Sequence, residues 1–253
     1  MTRQFDRAPG DLRPVTITPH YLAHAEGSVL IVGGTAGLGR ELASRYRERG
    51  LPVIVTGRDA GRAGAVATEI GEGVTGLGFD LSKPDTIAAA LADVGPVSRL
   101  VLAAIARDNN PVREYKIAEA IELVTMKLVG YTETIHTLLD RLSDDSSVVL
   151  FGGRAKDRPY PGSTTVTAVN GGVSSLINTL ATELAPIRFN AIHPGITGDT
   201  PFWAGKPLDH VVARTPTKRL ATMADVVDAT VILLENPAMN GENLHVDGGW
   251  MLM

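Results

Sequence analysis

Four glycines in one short stretch are the residues of this chain whose spacing points most directly to chemistry. The stretch Ser28–Arg40 reads SVLIVGGTAGLGR, with an apolar run before the glycines and a helical pattern after them. Glycine permits positive φ and close approach of the backbone to a pyrophosphate, while free N–H groups at a helix N-terminus attract an anion. The Gly-x-x-x-Gly-x-Gly spacing therefore predicts a dinucleotide-binding turn, and an ordinary tight strand-to-helix turn is the alternative.

A cation follows the second strand-like run. Gly57 and Arg58 come directly after Val55-Thr56. An acidic residue at this place would accept the ribose hydroxyls of NAD, whereas a cation would pair with the 2′-phosphate of NADP. Arg58 therefore predicts NADP as the cofactor. The alternative is a solvated loop arginine that pairs with Asp59.

Strand-like and helix-like stretches alternate from residue 28 onward, as in a parallel sheet covered on both faces. The predicted strands are Val29–Val32, Val53–Thr56, Val74–Phe79, Arg99–Ala104, Ser147–Phe151, Ile187–Ile192 and Asn243–Val246. The predicted helices after the glycine turn are Ala60–Ile70, Lys83–Val94, Ile117–Leu142, Val166–Leu184 and Ala224–Leu234. We therefore predict one α/β domain over residues 28–253, a Rossmann-type doubly wound parallel sheet of about seven strands, after an irregular arm at residues 1–27. Ligands of such sheets lie beyond the carboxyl ends of the strands.

Composition excludes several classes of protein. The chain has 253 residues, a formal net charge of -4 and no cysteine. The acidic balance argues against nucleic acid or an anionic membrane as the main partner, and disulfides, thiol nucleophiles and cysteine metal sites are excluded. No metal site is predicted. The polar N-terminus lacks the apolar core of a signal peptide, so we expect a cytoplasmic protein.

Five motifs together make the chain resemble the short-chain dehydrogenase/reductase family from about Ser28 to the C-terminus. The motifs are Gly33–Gly39, Asp80-Leu81, Glu183–Pro186, Arg188–Gly195 and Gly241–Gly249. The resemblance implies a nicotinamide dinucleotide, with the pyrophosphate on the glycine turn, the adenine at Asp80 and the nicotinamide along Pro194–Ile196. The cofactor-binding residues that we predict are Gly33, Thr35, Gly37, Leu38, Gly39, Arg58, Asp80, Leu81, Ala103, Pro194, Gly195 and Ile196.

The catalytic residues that the resemblance would imply are absent. Family members use a Tyr-x-x-x-Lys pair, a serine thirteen residues before the tyrosine, and an asparagine in the preceding long helix. The matching positions are Val166, Asn170, Gly153 and Lys127. Valine cannot transfer a proton and glycine cannot orient a carbonyl, so the family's proton relay does not carry over.

Asparagine and lysine have exchanged places in this comparison. We hypothesise that Lys127 returns an ammonium to the ribose and substrate region from the opposite helix, with Asn170 as its hydrogen-bond partner. The alternative is a surface lysine on an amphipathic helix.

The loop after the fifth strand offers replacement acid/base groups. Tyr160 is the substitute that we predict for the missing tyrosine, and either Arg154 or Lys156 is placed to polarise a carbonyl or lower the pKa of that tyrosine. The alternative is a proline-constrained loop with solvated charges and a surface tyrosine.

Three functions remain open. The first is an NADP(H)-dependent oxidoreductase acting on a C=O or C=N group with a non-standard acid/base set. Phe202 and Trp203, in the segment that covers the substrate in this family, favour a small apolar or cyclic substrate. The second is a catalytically silent dinucleotide-binding sensor or partner subunit, and the third is a lyase or isomerase on the same fold. The resemblance also implies a homodimer or homotetramer paired through the two long helices, and the apolar tail Trp250–Met253 suits an interface.

Overall fold

A single seven-stranded sheet is the centre of the computed structural model, which describes residues 26–106 and 109–252. The strands are β1 Ser28–Val32, β2 Val53–Gly57, β3 Val74–Gly78, β4 Val97–Leu102, β5 Leu142–Phe151, β6 Arg188–Pro194 and β7 Asn243–Val246. They lie in the order β3-β2-β1-β4-β5-β6-β7, and each neighbouring pair is parallel. The predicted doubly wound parallel sheet is confirmed. Apart from Glu26 and Gly27, the predicted arm lies outside the described residues.

Helices cover both faces of this sheet. They are α1 Gly37–Glu48, α2 Ala60–Ile70, α3 Ile87–Ala90, α4 Ile117–Val124, α5 Tyr131–Leu138, α6 Thr164–Glu183, α7 Asp209–Arg214 and α8 Met223–Glu235. One apolar core lies between the sheet and α3, α5 and α6, and a second lies between the sheet and α1, α2 and α8. Burial on both faces explains why the strands are almost continuously apolar. Within the described ranges, no helix is long and apolar enough to cross a bilayer.

Two predicted helices have different bounds in the structure. The predicted helix Lys83–Val94 is reduced to a 3₁₀ turn at Pro84–Thr86 and the single turn of α3. Its alanines give it few apolar side chains to bury, and the chain turns toward β4 at Gly95-Pro96. The predicted helix Ile117–Leu142 gives way to a 3₁₀ turn at Leu139, and Leu142 already belongs to β5.

A π-helical segment, Thr125–Gly130, interrupts the same long helix between α4 and α5. A Cβ on Gly130 would overlap the carbonyl oxygen of Leu81, so glycine is required for the segment to pack on the loop after β3. Turns of π-helix are rare, and many of those that occur lie at functional sites. In this structure the segment carries Lys127, which is buried.

The topological switch point lies between β1 and β4. After β1 the chain builds β2 and β3 on one side of the sheet, and it then crosses to build β4 to β7 on the other side. Ligands of such sheets bind in the crevice that opens at this point. The glycine turn after β1 and the residues Ala103 and Ala104 after β4 lie at this crevice.

Candidate functional site

The glycine turn has the geometry of an anion site. Gly33 and Gly37 have φ of +86° and +52°, which disfavours other residues at both positions. A Cβ on Gly33 would lie 2.6 Å from the backbone N of Ala104, so the turn packs directly on the end of β4. The first N–H groups of a helix have no partner within the helix. No described side chain caps those of α1, whose N-cap is Ala36, and its first turn holds no carboxylate. The free N–H groups can bind a pyrophosphate, and no carboxylate in the first turn of α1 repels that anion.

Arg58 lies at the carboxyl end of β2, beside this turn. A Cβ on Gly57 would lie 2.9 Å from Cγ2 of Thr35, so Thr35 of the glycine turn packs on the residue before Arg58. Arg58 is exposed and forms no ion pair within the described part of the chain. Asp59 instead caps α2, where its carboxylate accepts a hydrogen bond from the backbone N of Arg62 at 2.6 Å. The alternative pairing of Arg58 with Asp59 is therefore wrong.

Three of the predicted cofactor-binding residues, among them Asp80 at the adenine, follow β3 and β4. Asp80 is half-buried, and its Oδ1 accepts hydrogen bonds from the backbone N of Ser82 at 3.0 Å and from its Oγ at 2.8 Å. Leu81 is buried. The backbone N of Ala103 donates to the carbonyl of Val32 at 2.8 Å, which holds the end of β4 against β1. These residues form one wall of the crevice.

The segment after β6 forms the opposite wall. Pro194–Ile196 is half-buried, and the backbone N of Gly195 donates to the carbonyl of Val246 at 2.9 Å. Further along, Pro201 lies over the glycine turn, with its Cδ 4.0 Å from the position of a Cβ on Gly37. The predicted cofactor residues thus lie at or just beyond the carboxyl ends of β1 to β4 and β6, and Leu38 at the start of α1 is half-buried.

Lys127 is buried. The alternative to our hypothesis, a surface lysine, is therefore wrong. Its Nζ donates to Oη of Tyr131 at 2.9 Å and to the carbonyl of Phe151 at 2.5 Å. Burial lowers the pKa of its ammonium to about 7. The predicted hydrogen bond to Asn170 is wrong, because Tyr131, one helical turn further along the same helix, takes that place.

Asn170 lies instead against Gly153. A Cβ on Gly153 would lie 2.9 Å from its Nδ2, and the side chain is buried. Val166 is half-buried one turn earlier on α6. Behind them, His193 accepts a hydrogen bond at Nδ1 from the backbone N of Gly153 at 3.2 Å, and burial lowers its pKa to about 4. His193 is therefore a neutral structural residue.

The two acid/base candidates in the loop after β5, Arg154 and Tyr160, have different surroundings. The side chain of Arg154 is 9% exposed. Its guanidinium lies 2.8 Å from Oδ2 of Asp157 and 2.9 Å from Oδ2 of Asp247, and the second contact lacks the alignment of a hydrogen bond. Two carboxylates therefore neutralise its guanidinium. Tyr160 is 53% exposed and lines a shallow depression with Pro111–Arg113. The carboxylates on Arg154 and the exposure of Tyr160 thus favour Lys127 over both as the candidate acid/base group.

An aromatic pair follows β6 in the segment predicted to cover the substrate. The rings of Phe202 and Trp203 meet edge to face with centroids 4.7 Å apart. The Lys206 ammonium lies 3.2 Å from the centroid of Phe202. Because Pro201 of the same segment lies over the glycine turn, the pair is placed at the entrance of the crevice.

Tyr131 is the residue of this site that sequence reasoning missed. It is fully buried, and its Oη donates to the carbonyl of Ala104 at 2.7 Å. Its signal is present in the sequence, because Lys127-x-x-x-Tyr131 has the i, i+4 spacing that brings side chains together on a helix.

The comparisons with known proteins agree with this geometry. A family model described as enoyl-(acyl carrier protein) reductase matches residues 33–251. Carbonyl reductase family member 4 of Danio rerio is 29% identical over 233 residues, which cover 88% of this chain and 98% of the relative.

Two solved structures from Brucella melitensis share the fold. One, described as a short-chain dehydrogenase/reductase of the glucose/ribitol dehydrogenase type, has a TM-score of 0.81 and 27% identity, covering 88% of this chain and 96% of the other. The second, a 3-ketoacyl-(acyl-carrier-protein) reductase complexed with NADH, has a TM-score of 0.79 and 28% identity, covering 89% and 99%. The sheet order, the glycine turn and these matches together show that the chain belongs to the short-chain dehydrogenase/reductase family of oxidoreductases.

Proposed function

We propose that this protein is an NADP(H)-dependent oxidoreductase that acts on a C=O or C=N group of a small, apolar or cyclic substrate with a non-standard acid/base set. The observation that carries the proposal is the uncapped N-terminus of α1 at the switch point, free of carboxylates and closed by glycines. A nicotinamide dinucleotide bound there would supply or accept the hydride. The protein's own residues bind it, orient the substrate and move the proton.

In this proposal each wall of the crevice binds a different part of the dinucleotide. The N–H groups at the start of α1 would hold the pyrophosphate, and Arg58 would hold the ribose phosphate. Asp80 and Leu81 would lie along the adenine, and Pro194–Ile196 along the nicotinamide. Phe202 and Trp203 would exclude water from the substrate side, which strengthens electrostatic interactions within the site.

Arg58 is the basis for choosing NADP over NAD, and Arg58→Gln tests it. We expect the variant to bind NADPH about tenfold more weakly and to bind NADH unchanged, because it loses one exposed charge-assisted hydrogen bond to the 2′-phosphate. Calorimetric titration of both nucleotides measures the effect. Arg62→Gln is the matched control, since Arg62 is an exposed arginine one turn away whose backbone, not side chain, is used in the cap. Equal affinity of the wild type for NADPH and NADH would contradict the assignment.

A silent dinucleotide-binding protein is the second candidate function, favoured by Gly153, Val166 and Asn170 at three positions that carry the family's catalysis. Consumption of NADPH separates the two candidates. A panel of a cyclic ketone, a 3-oxoacyl thioester and a cyclic imine presents both C=O and C=N groups for reduction. Oxidation of NADPH by any of them supports the enzyme, and tight binding of NADPH with no reaction supports the sensor.

We also propose that the protein is a homodimer or homotetramer paired through α4 and α6. Ile117, Ile121 and Val124 form an exposed apolar row on α4 at helical spacing. The exposed side of α6 carries small residues, among them Gly171, where an added Cβ would meet nothing within 4 Å. Such a surface favours close packing of helices from two subunits.

Gly171→Glu tests this pairing. The monomer has room for the side chain, and glutamate is a better helix former than glycine, so the fold should persist. A buried, unpaired carboxylate in the interface should convert the oligomer to monomers at micromolar concentration in sedimentation velocity experiments. A wild type that is itself monomeric, or a variant that remains assembled, would contradict the proposed interface.

A further inference from the structure

Lys127 and Tyr131 form a hydrogen-bonded couple whose direction the geometry defines. The Oη of Tyr131 donates its only proton to the carbonyl of Ala104 at 2.7 Å. It therefore accepts at 2.9 Å from the Nζ of Lys127, whose second hydrogen bond goes to the carbonyl of Phe151. The couple thus joins the backbone at the carboxyl ends of β4 and β5.

This place lies between the cofactor turn and the positions where the family carries its catalytic groups. Ala104 packs on Gly33 of the glycine turn. Gly153, at the family's serine position, is two residues after Phe151 and packs on Asn170, at the family's lysine position. The residues that replace the family's set and the residues that hold the new couple are therefore adjacent in space.

Nζ keeps one position free for a further partner. An ammonium has three N–H donors, and two of them are used within the described residues, by Tyr131 and Phe151. A neutral amine would use the same two and would leave its lone pair open. Burial lowers the pKa of Lys127 to about 7. Tyr131 is the titratable group in contact with Nζ, and burial raises its pKa, so it stays protonated. His193, behind Gly153, has a pKa of about 4 and is therefore uncharged near neutral pH.

We propose, on the basis of the proposed function, that Lys127 is the proton donor to the substrate oxygen and that Tyr131 is the positioning residue that orients its ammonium. During reduction, the dinucleotide held at the glycine turn would supply a hydride to the carbon of the C=O group, and the π electrons of that bond would pass to the oxygen. That oxygen takes a proton from Nζ, which is left as a neutral amine and regains a proton from solvent. Oxidation runs in the opposite direction, with the neutral amine as the base.

The order of this couple reverses that of the family. The family's Tyr-x-x-x-Lys lies on the helix that corresponds to α6, with tyrosine as the proton donor. Here Lys-x-x-x-Tyr lies across the π-helical segment and α5, on the other side of β5, with lysine as the proton donor. Proton delivery is then restored from the helix beside α6, on the same face of the sheet.

As the proposed proton donor, Lys127 would lie near the nicotinamide and would respond to the charge of that ring. The oxidised ring is a cation and the reduced ring is neutral, so the oxidised cofactor disfavours the ammonium. The pKa of Lys127 should therefore be lower in the NADP⁺ complex than in the NADPH complex, by about half a unit or more. Lysine would thus hold its proton when the reduced cofactor is bound.

Nuclear magnetic resonance of the full-length protein labelled in lysine tests this inference. The Lys127 signal is assigned by its loss in Lys127→Met and titrated from about pH 5.5 to 9.5, free and with each nucleotide at saturation. We expect a pKa near 7 in the free protein and the stated difference between the two complexes. Tyr131→Phe removes an acceptor of the ammonium while keeping the ring, so it should lower the pKa of Lys127 further. Lys116→Met, an exposed lysine at the start of α4, should leave the titration unchanged.

The outcomes separate the inference from the proposed function. Calorimetry that finds no binding of either nucleotide overturns the proposed function before any titration is made. Binding with the same pKa of Lys127 in both complexes, or a pKa near that of free lysine, overturns the inference and leaves the proposed function standing. For any compound of the panel that is reduced, the rate should fall about tenfold per pH unit above the pKa and by about 10²-fold or more in Lys127→Met. A variant as fast as the wild type overturns the inference.

Discussion

Replacing Glu235 by alanine is expected to lower the free energy of unfolding by about 3–5 kcal/mol. Glu235 ends α8 and forms a two-point ion pair with Arg99 of β4, in which Nε–Oε1 and Nη2–Oε2 are both 2.6 Å. Tyr46 of α1 donates to the same carboxylate at 2.9 Å. The side chains of Arg99 and Glu235 are 7% and 8% exposed, so removal of the carboxylate leaves a buried, unpaired guanidinium.

Urea denaturation of the wild type and of Glu235→Ala measures this loss of stability. Glu183→Ala is the matched control. Glu183 also ends a helix, α6, and is exposed, so its replacement should change stability by no more than about 0.5 kcal/mol. The comparison removes the effect of a glutamate at the negative end of a helix dipole, which both variants share. Equal losses in the two variants would mean that the ion pair with Arg99 adds nothing to the free energy of unfolding.

The same ion pair illustrates what sequence patterns can predict. The apolar residues after Arg99 indicate a buried strand, and the alternation of such strands with helices predicts the parallel sheet, because both signals are local. The partner of Arg99 is 136 residues away. No local pattern identifies that pairing, which depends on how α8 packs against the sheet.

The candidate site likewise has one part that local sequence predicts and one part that it does not. The glycine turn and Arg58 are predicted from residues adjacent in sequence, and the structure brings both to one crevice. The partner of Lys127 is not predicted, because the family comparison directs attention to Asn170 on another helix. The π-helical segment turns Lys127 inward, and Tyr131, four residues further on, lies within reach. Side-chain spacing on the helix itself is the better guide.

The stability of the wild type is expected to rise with pH relative to Lys127→Met, by about 2 kcal/mol between pH 7 and pH 9. The pKa of Lys127 is about 7 in the folded protein and 10.5 as the ordinary value for lysine. Between these values the unfolded chain binds one more proton than the folded protein, so the free energy of unfolding rises with pH by about 1.4 kcal/mol per unit. Below pH 7 the folded protein carries the buried charge and gains nothing further from Lys127.

Denaturation in urea at several pH values measures this difference, and subtraction of the variant removes the titration of every other group. Lys116→Met is again the control, because Lys116 is exposed, and the stability of this variant should follow that of the wild type. Methionine fills the same space without a charge, although the carbonyl of Phe151 loses its donor, at a pH-independent cost of about 1–3 kcal/mol. The slope of the difference, not its absolute size, therefore reports the neutral lysine. A difference that does not change with pH would mean that Lys127 keeps its charge in the folded protein, and it would then be unable to exchange a proton near neutral pH.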